Sequence, residues 1–142
     1  MREAMSTGIQ STRAPEPVGA YPHARRVGNL LFLSGIGPRV RGSREIPGVK
    51  LRADGTVESY DIEAQCRSVF ANVRAVLEEA GSKWQNLVDV TVFLTDLGRD
   101  FAAYNRLWAE HFQEAQPCRT TVGVTALPTP IAIELKCIAT VE

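Results

Sequence analysis

Apolar residues along the chain follow two repeats, and the clearer one is helical. Between Asp61 and Ala80 they recur at intervals of three and four, which predicts a helix with one buried stripe. Ser59 or Asp61 can cap the start of this helix, and Gly81 is placed to end it. A second helix is predicted from Asp100 to Gln113, because Pro117 prevents a longer one. Its predicted buried residues are Phe101, Tyr104, Leu107, Trp108 and Phe112.

Shorter apolar runs predict the strands. A buried strand over Leu30–Ser34 follows a tight turn at Gly28-Asn29, and the run before the turn is a candidate hairpin partner. Alternating positions predict strands over Val88–Thr95, Arg119–Thr125 and Ile131–Thr140. This order of elements predicts an α+β domain in which two helices cover one face of a mixed sheet. The other face carries too many apolar residues to be fully solvated, so we expect a symmetric oligomer to bury it.

The chain has 142 residues, the usual size of a single domain. We expect a flexible N-terminal segment over residues 1–17, which are rich in Ser, Thr, Pro and Gly, and one domain over residues 18–142. A polar and basic loop is predicted over residues 39–55, with a small hairpin that closes at Asp54-Gly55. Loops of this length in compact domains often carry function, so this loop is a candidate functional element.

Charge and composition exclude several classes of protein. Sixteen Lys and Arg balance sixteen Asp and Glu, which argues against a general nucleic-acid binder or a polybasic membrane protein. No stretch approaches the length of a membrane span, and residues 1–17 lack the apolar core of a secretory signal. The lack of a membrane span and of a signal, together with three cysteines that form no CxxC pair, predicts a cytoplasmic protein. Two histidines without ligand spacing predict no metal site, and the sequence lacks GxSxG, Walker A, HExxH and GxGxxG motifs.

Glu134 and Arg119 are the residues whose chemistry is most open to interpretation. Glu134 lies in a strand that otherwise looks well packed, so it is either a solvated strand residue or a general acid or base in a cleft. Arg119 is either a surface charge at a strand end or part of the same site. If the last two strands form a hairpin through the turn near Leu127–Thr129, the two side chains can approach, but only in a suitable register. Cys118 is a weak candidate for a reactive thiol, and Cys66 is interpreted as a core residue.

Several segments, in order along the chain, resemble the Rid family, the YjgF-type proteins that hydrolyse enamines and imines. Residues Pro17 to Thr140 take part in the similarity. The most specific segment is Pro117–Val122, followed by a Leu-Pro turn and a Glu within an Ile-rich strand. The other similar segments are Gly19–Ala24, Gly28–Gly35 and Asp100–Asn105.

This resemblance implies a chorismate mutase-like fold, a homotrimer that can pair into a hexamer, and an active-site cleft at each subunit interface. It implies that Arg119 binds the substrate carboxylate and that Glu134 positions or activates water. By the same resemblance, Tyr21 lines the cleft, while Thr121, the Gly35 backbone and Asn105 complete or support its wall. Many members of the family carry Cys at the position of Thr121, so a cysteine-dependent activity is not expected here.

The loop over residues 39–55 is longer than in the generic imine deaminases. Its Ile46–Gly48 turn, together with Asp61–Gln65 and Cys118–Gly123, is similar to the 2-aminomuconate deaminase branch. The hypothesis that follows is a cofactor-free hydrolase that converts 2-aminomuconate to 4-oxalocrotonate and ammonia in aromatic-compound degradation. The alternatives are a generic 2-iminoacid deaminase and a non-enzymatic binding or regulatory module. A ribonuclease-like activity is disfavoured by the zero net charge.

Overall fold

The computed structural model describes residues 8–142, in which two long helices pack on one face of a six-stranded mixed sheet. Two further strands form a small separate sheet. The strands are β1 (Gly8–Ile9), β2 (Ala24–Val27), β3 (Leu30–Leu33), β4 (Val49–Leu51), β5 (Val57–Tyr60), β6 (Leu87–Leu94), β7 (Cys118–Gly123) and β8 (Ile133–Thr140). The helices are α1 (Ile62–Glu79) and α2 (Leu97–His111), and a 3-10 turn (Trp84–Asn86) precedes β6. The predicted α+β class is confirmed.

The order of strands in the large sheet is β1-β2-β3-β8-β6-β7. All neighbours are antiparallel except β6 and β7, which run parallel because α2 connects them as a crossover. Alternate residues of β8 are fully buried under the helices, as the period-two pattern predicts. These residues are Ile133, Leu135, Cys137 and Ala139.

The start and end of α1 agree with the sequence. The side chain of Asp61 accepts hydrogen bonds from the backbone N–H groups of Glu63 and Ala64, so Asp61 rather than Ser59 is the cap. Gly81 follows the helix with a φ of +86°, a conformation that glycine adopts without strain. The small hairpin of β4 and β5 is also as predicted, and Gly55 in its turn has a φ of +88°.

The second helix begins three residues earlier than predicted, at Leu97. Asp96 is its cap and accepts a hydrogen bond from the N–H of Arg99. Asp100, the predicted start, is instead buried and accepts a 2.6 Å hydrogen bond from the hydroxyl of Tyr60. The prediction that Phe101 is buried is wrong within this chain, since 40% of its surface is exposed.

Part of the N-terminal segment that is expected to be flexible makes defined contacts with the domain, while residues 1–7 lie outside the described residues. From Gly8 onwards the backbone pairs with β2. The carboxylate of Glu79 on α1 accepts hydrogen bonds from the hydroxyls of Ser11 and Thr12 and from the N–H groups of Thr12 and Arg13. These contacts attach residues 8–14 to the domain. The composition of the segment does not predict them, because Glu79 lies far along the chain from the residues that it binds.

Candidate active site

Glu134 lies near the start of β8, on the sheet face opposite the helices. Its side chain is half-buried and folds over the backbone of Gly35, where an added Cβ would lie 2.7 Å from Oε2 of the glutamate. A side chain at position 35 would therefore push the carboxylate of Glu134 out of this position. Burial raises the pKa of Glu134, and the positive charge of Arg39 partly opposes this rise. A carboxyl group with a raised pKa is better suited to take up and return protons near neutral pH.

A cavity of about 120 Å³ opens beside this carboxylate. Tyr21, Gly35 and Arg39 line it together with Glu134. The hydroxyl of Tyr21 accepts a 3.2 Å hydrogen bond from the N–H of Val18, which fixes the ring at the cavity wall. The structure therefore brings three of the predicted site residues together here: Tyr21, Gly35 and Glu134.

Arg119, at the start of β7, is the centre of a second group. Its Nη1 donates a 2.9 Å hydrogen bond to Oδ1 of Asn105. Its guanidinium carbon lies 5.1 Å from the ring centroid of Tyr104 and 5.0 Å from that of Trp108, where aromatic faces attract a cation. The hydroxyl oxygens of Tyr104 and Thr121 are 2.7 Å apart. The other predicted site residues, Arg119, Asn105 and Thr121, thus share this group.

The aromatic wall beneath Arg119 was not predicted as part of a site. Phe101 also faces the guanidinium, with its ring centroid 5.9 Å away. Phe101, Tyr104 and Trp108 were interpreted as core residues of the second helix. Their spacing of three and four residues places them on the same side of α2 as Asn105. This spacing is the feature of the sequence that could have indicated their contact with the site.

The two groups do not meet within one chain. Strand β6 lies between β7 and β8, so the hairpin considered from the sequence is wrong. Arg119 pairs with Val90 of β6, whereas Glu134 pairs with Phe93. Because Val90 and Phe93 are an odd number of residues apart, their partners lie on opposite faces of the sheet. No single cleft of this chain therefore holds both Arg119 and Glu134.

Residues 11–141 match the family model described as Endoribonuclease L-PSP. The chain belongs to this family, the Rid or YjgF family. A RutC family protein of Pyrococcus abyssi is 37% identical over 92% of this chain and 94% of its own. A 2-iminobutanoate/2-iminopropanoate deaminase of Dermatophagoides farinae is 35% identical over 94% of this chain and 95% of its own. The crystal structure of the E. coli YjgF gene product is 33% identical and superposes with a TM-score of 0.80, over 95% of this chain and 98% of that one.

Within residues 8–142, no three side chains of His, Cys, Asp or Glu gather where they could hold a metal ion. In the same residues, no helix is both long and apolar enough to cross a bilayer. The three cysteines are free; Cys66 and Cys137 are buried and Cys118 is exposed. Burial raises the pKa of Cys66 and of Cys137 to about 12, so both thiols stay protonated at neutral pH.

Proposed function

We propose that this Rid protein is a cofactor-free hydrolase that deaminates an enamine or imine acid, and that its substrate is 2-aminomuconate. The observation that carries the proposal is the pair of complementary groups on one chain. One presents an arginine on an aromatic wall, and the other presents a half-buried glutamate beside a cavity. An arginine binds a carboxylate through two oxygens, and a glutamate with a raised pKa moves protons.

The two groups complete one site when copies of the chain assemble around a symmetry axis. In a cyclic trimer, Arg119 of one copy can face Glu134 of the next, which gives identical sites at all interfaces. The sheet face opposite the helices supports such an assembly. It carries apolar side chains that the helices leave uncovered, Leu30, Phe32, Phe93 and Ile138.

The chemistry follows from the roles of these groups. The substrate is an enamine, and protonation of a diene carbon gives the 2-imino acid. Water then adds to C2, and the resulting carbinolamine expels ammonia to leave the 2-oxo acid, 4-oxalocrotonate. Arg119 holds the C1 carboxylate and keeps C2 at the water, while Glu134 moves protons first to the diene and then from water to the leaving amine. Asn105, Thr121 and Tyr21 shape the pocket around the reacting atoms.

The loop over residues 39–55 supports the dicarboxylate as substrate. It is longer than the loop that the sequence resemblance leads us to expect in generic imine deaminases, and its Arg39 reaches the cavity beside Glu134. The generic alternative is supported by the relative from Dermatophagoides farinae, which is named for two short imino acids. A hydrolase that prefers 2-iminobutyrate would share the catalytic groups and differ at this loop.

The deciding experiment compares ammonia release from 2-aminomuconate and from 2-iminobutyrate by the purified protein. We expect a higher kcat/KM for 2-aminomuconate than for 2-iminobutyrate, and Glu134→Gln should lower the rate roughly 100- to 10,000-fold. A higher value for 2-iminobutyrate would establish the generic deaminase instead. No acceleration with either substrate would contradict an enzymatic role and favour a binding or regulatory module.

A further inference from the structure

We propose that Arg39 binds the second carboxylate of the substrate. This inference rests on the proposed function, because it concerns the carboxylate that a dicarboxylate has and a simple imino acid lacks. The two acid groups end a six-carbon chain and are separated by four rigidly conjugated carbons, so Arg119 cannot bind both. Burying an unpaired carboxylate in a partly dry cleft is costly, and a second cation removes that cost.

The backbone at Arg39 is held firmly by helix α1. The side-chain amide of Asn72 donates hydrogen bonds to the carbonyl oxygens of Gly37 and Arg39, at 2.9 and 2.7 Å. The guanidinium of Arg39 donates from Nη2 to the carbonyl oxygen of Glu16 at 2.8 Å. That partner is a neutral carbonyl, and among residues 8–142 no carboxylate lies within ion-pair distance of Arg39. The charge of Arg39 is therefore positioned but not neutralised.

Arg39 and Glu134 line the same cavity without forming an ion pair. Both line the space of about 120 Å³ in which the substrate is expected. The positive charge of Arg39 interacts with Glu134. Burial raises the pKa of this carboxyl, and the charge of Arg39 lowers it by a smaller amount. Because Glu134 is half-buried, its interaction with a nearby charge is stronger than that between two surface charges. The same positive charge of Arg39 would attract a ligand carboxylate that binds beside Glu134.

The other cations of the loop do not line this cavity. Arg52 donates from Nη1 to the hydroxyl of Thr56 and to the carbonyl oxygen of Val57. Arg41 donates from Nη1 to the carbonyl oxygens of Ser11 and Ala14. Lys50 forms an exposed ion pair with Glu58 on the small hairpin. Arg44 lines a different and larger groove, formed by residues 40–51.

Buried His23 does not supply the missing charge either. Its Nδ1 accepts a 2.9 Å hydrogen bond from the N–H of Ser11, so this nitrogen carries no proton. Its Nε2 is 2.8 Å from the carbonyl oxygen of Pro15 and donates to it. The ring is therefore neutral, and both nitrogens are used to hold the N-terminal segment.

The test uses two stable ligands that differ by one carboxylate. 2,4-Hexadienedioate has the six-carbon diene with an acid group at each end, and 2,4-hexadienoate has a methyl group at one end. We expect wild-type protein to bind the dicarboxylate more tightly in calorimetry. Arg39→Gln should weaken the dicarboxylate roughly 10- to 100-fold, the usual loss for a hydrogen bond to a charged group, and change the monocarboxylate little. Arg39→Lys should keep part of the preference.

Two control variants separate binding from local structure. Arg41→Gln removes two contacts to the N-terminal segment outside the Glu134 cavity, and Arg44→Gln removes a loop charge outside it. Both should leave the preference for the dicarboxylate unchanged.

Four results would overturn the proposal: equal binding of both ligands by wild type, no binding of either, the same loss for both in Arg39→Gln, or a loss in Arg41→Gln as large as in Arg39→Gln. An unchanged preference together with a shifted pH profile of activity in Arg39→Gln would assign Arg39 to tuning Glu134 instead.

The two proposals fail separately. A wild-type protein that prefers the dicarboxylate ligand through Arg39 but releases no ammonia from 2-aminomuconate contradicts the proposed function alone. Turnover of 2-aminomuconate that is insensitive to Arg39→Gln contradicts the role of Arg39 alone.

Discussion

Arg119 and Glu134 lie on opposite faces of the same sheet, with β6 between their strands. The two strand intervals alone separate their backbones by roughly 10 Å. A substrate that contacts both side chains must therefore touch two copies of the chain. The assembly and the chemistry are linked through this one geometric relation.

Mixing two impaired variants tests whether the site lies between subunits. Arg119→Ala should bind substrate weakly and Glu134→Gln should turn it over slowly, yet the two should form fully active sites when refolded together. A site is intact where Arg119 of a Glu134→Gln chain faces Glu134 of an Arg119→Ala chain. Random mixing of equal amounts gives this order at about a quarter of the interfaces of a cyclic trimer. Recovery of ammonia release toward that fraction is expected, and light scattering should report a trimer or a multiple of it. No recovery after mixing, with trimers present, would contradict a shared site.

Glu134→Gln should raise stability while it lowers activity. Burial raises the pKa of Glu134 above its ordinary value of 4.5, so the charged form is disfavoured in the folded protein. The contribution of this group to stability is fully present below pH 4.5 and is lost as the pH rises through the raised pKa. At neutral pH the glutamine variant should therefore denature at higher urea concentration than wild type, and the difference should vanish below pH 4.5.

The activity of this variant should fall by roughly 100- to 10,000-fold in kcat, the range for loss of a general acid or base. Glu114→Gln, an exposed position after α2, is the matched control and should change neither stability nor activity. An active Glu134→Gln protein would make Glu134 an ordinary strand residue.

Asn105 should act through Arg119 rather than on the substrate directly. Arg119→Ala removes a charged contact and should raise KM by the equivalent of about 1.5–3 kcal/mol. Asn105→Ala removes the oxygen that accepts the hydrogen bond from Nη1 of Arg119. It should raise KM by a factor equivalent to about 1 kcal/mol of binding free energy. The double variant should be no worse than Arg119→Ala alone, because the orientation matters only while the arginine is present. Additive losses would show that Asn105 has its own contact with substrate; Cys118→Ser serves as the neighbouring control.

The sequence predicted the helices and the strand faces well because these depend on local periodicity. The burial of alternate β8 residues and the cap at Asp61 follow from spacing alone. The pairing of strands does not follow from spacing along the chain. The possible hairpin of β7 and β8 is wrong, because β6 lies between these strands. The order β6, α2, β7 is a strand–helix–strand unit, which favours parallel pairing of β6 with β7 and was the signal that could have prevented this error.

The candidate site was only partly predictable for a similar reason. Family resemblance supplied Arg119 and Glu134, but their separation is a property of the sheet and not of either segment. Arg39 is one of five cations in the loop over residues 39–55, and composition does not single it out. Its place beside Glu134 depends on tertiary contacts with Asn72 and Glu16, which no local pattern encodes.

The N-terminal segment should detach from α1 in acid. Hydrogen bonds from Ser11 and Thr12 lower the pKa of Glu79 to about 2. A lowered pKa means that the stabilisation is present above the ordinary value of 4.5 and is lost as the pH falls toward 2. Amide hydrogen-exchange protection factors at Thr12 and Arg13 should therefore decline over this range while those of the β6 and β8 amides persist.

Glu79→Ala should abolish that protection at every pH, because both carboxylate oxygens accept backbone N–H groups. Glu78→Gln is the control on the same helix turn. Its ion pair with Arg13 is exposed and should contribute little, so protection should stay close to wild type. Equal protection in Glu79→Ala and wild type would place the anchor elsewhere, with the buried contacts of His23 as the next test.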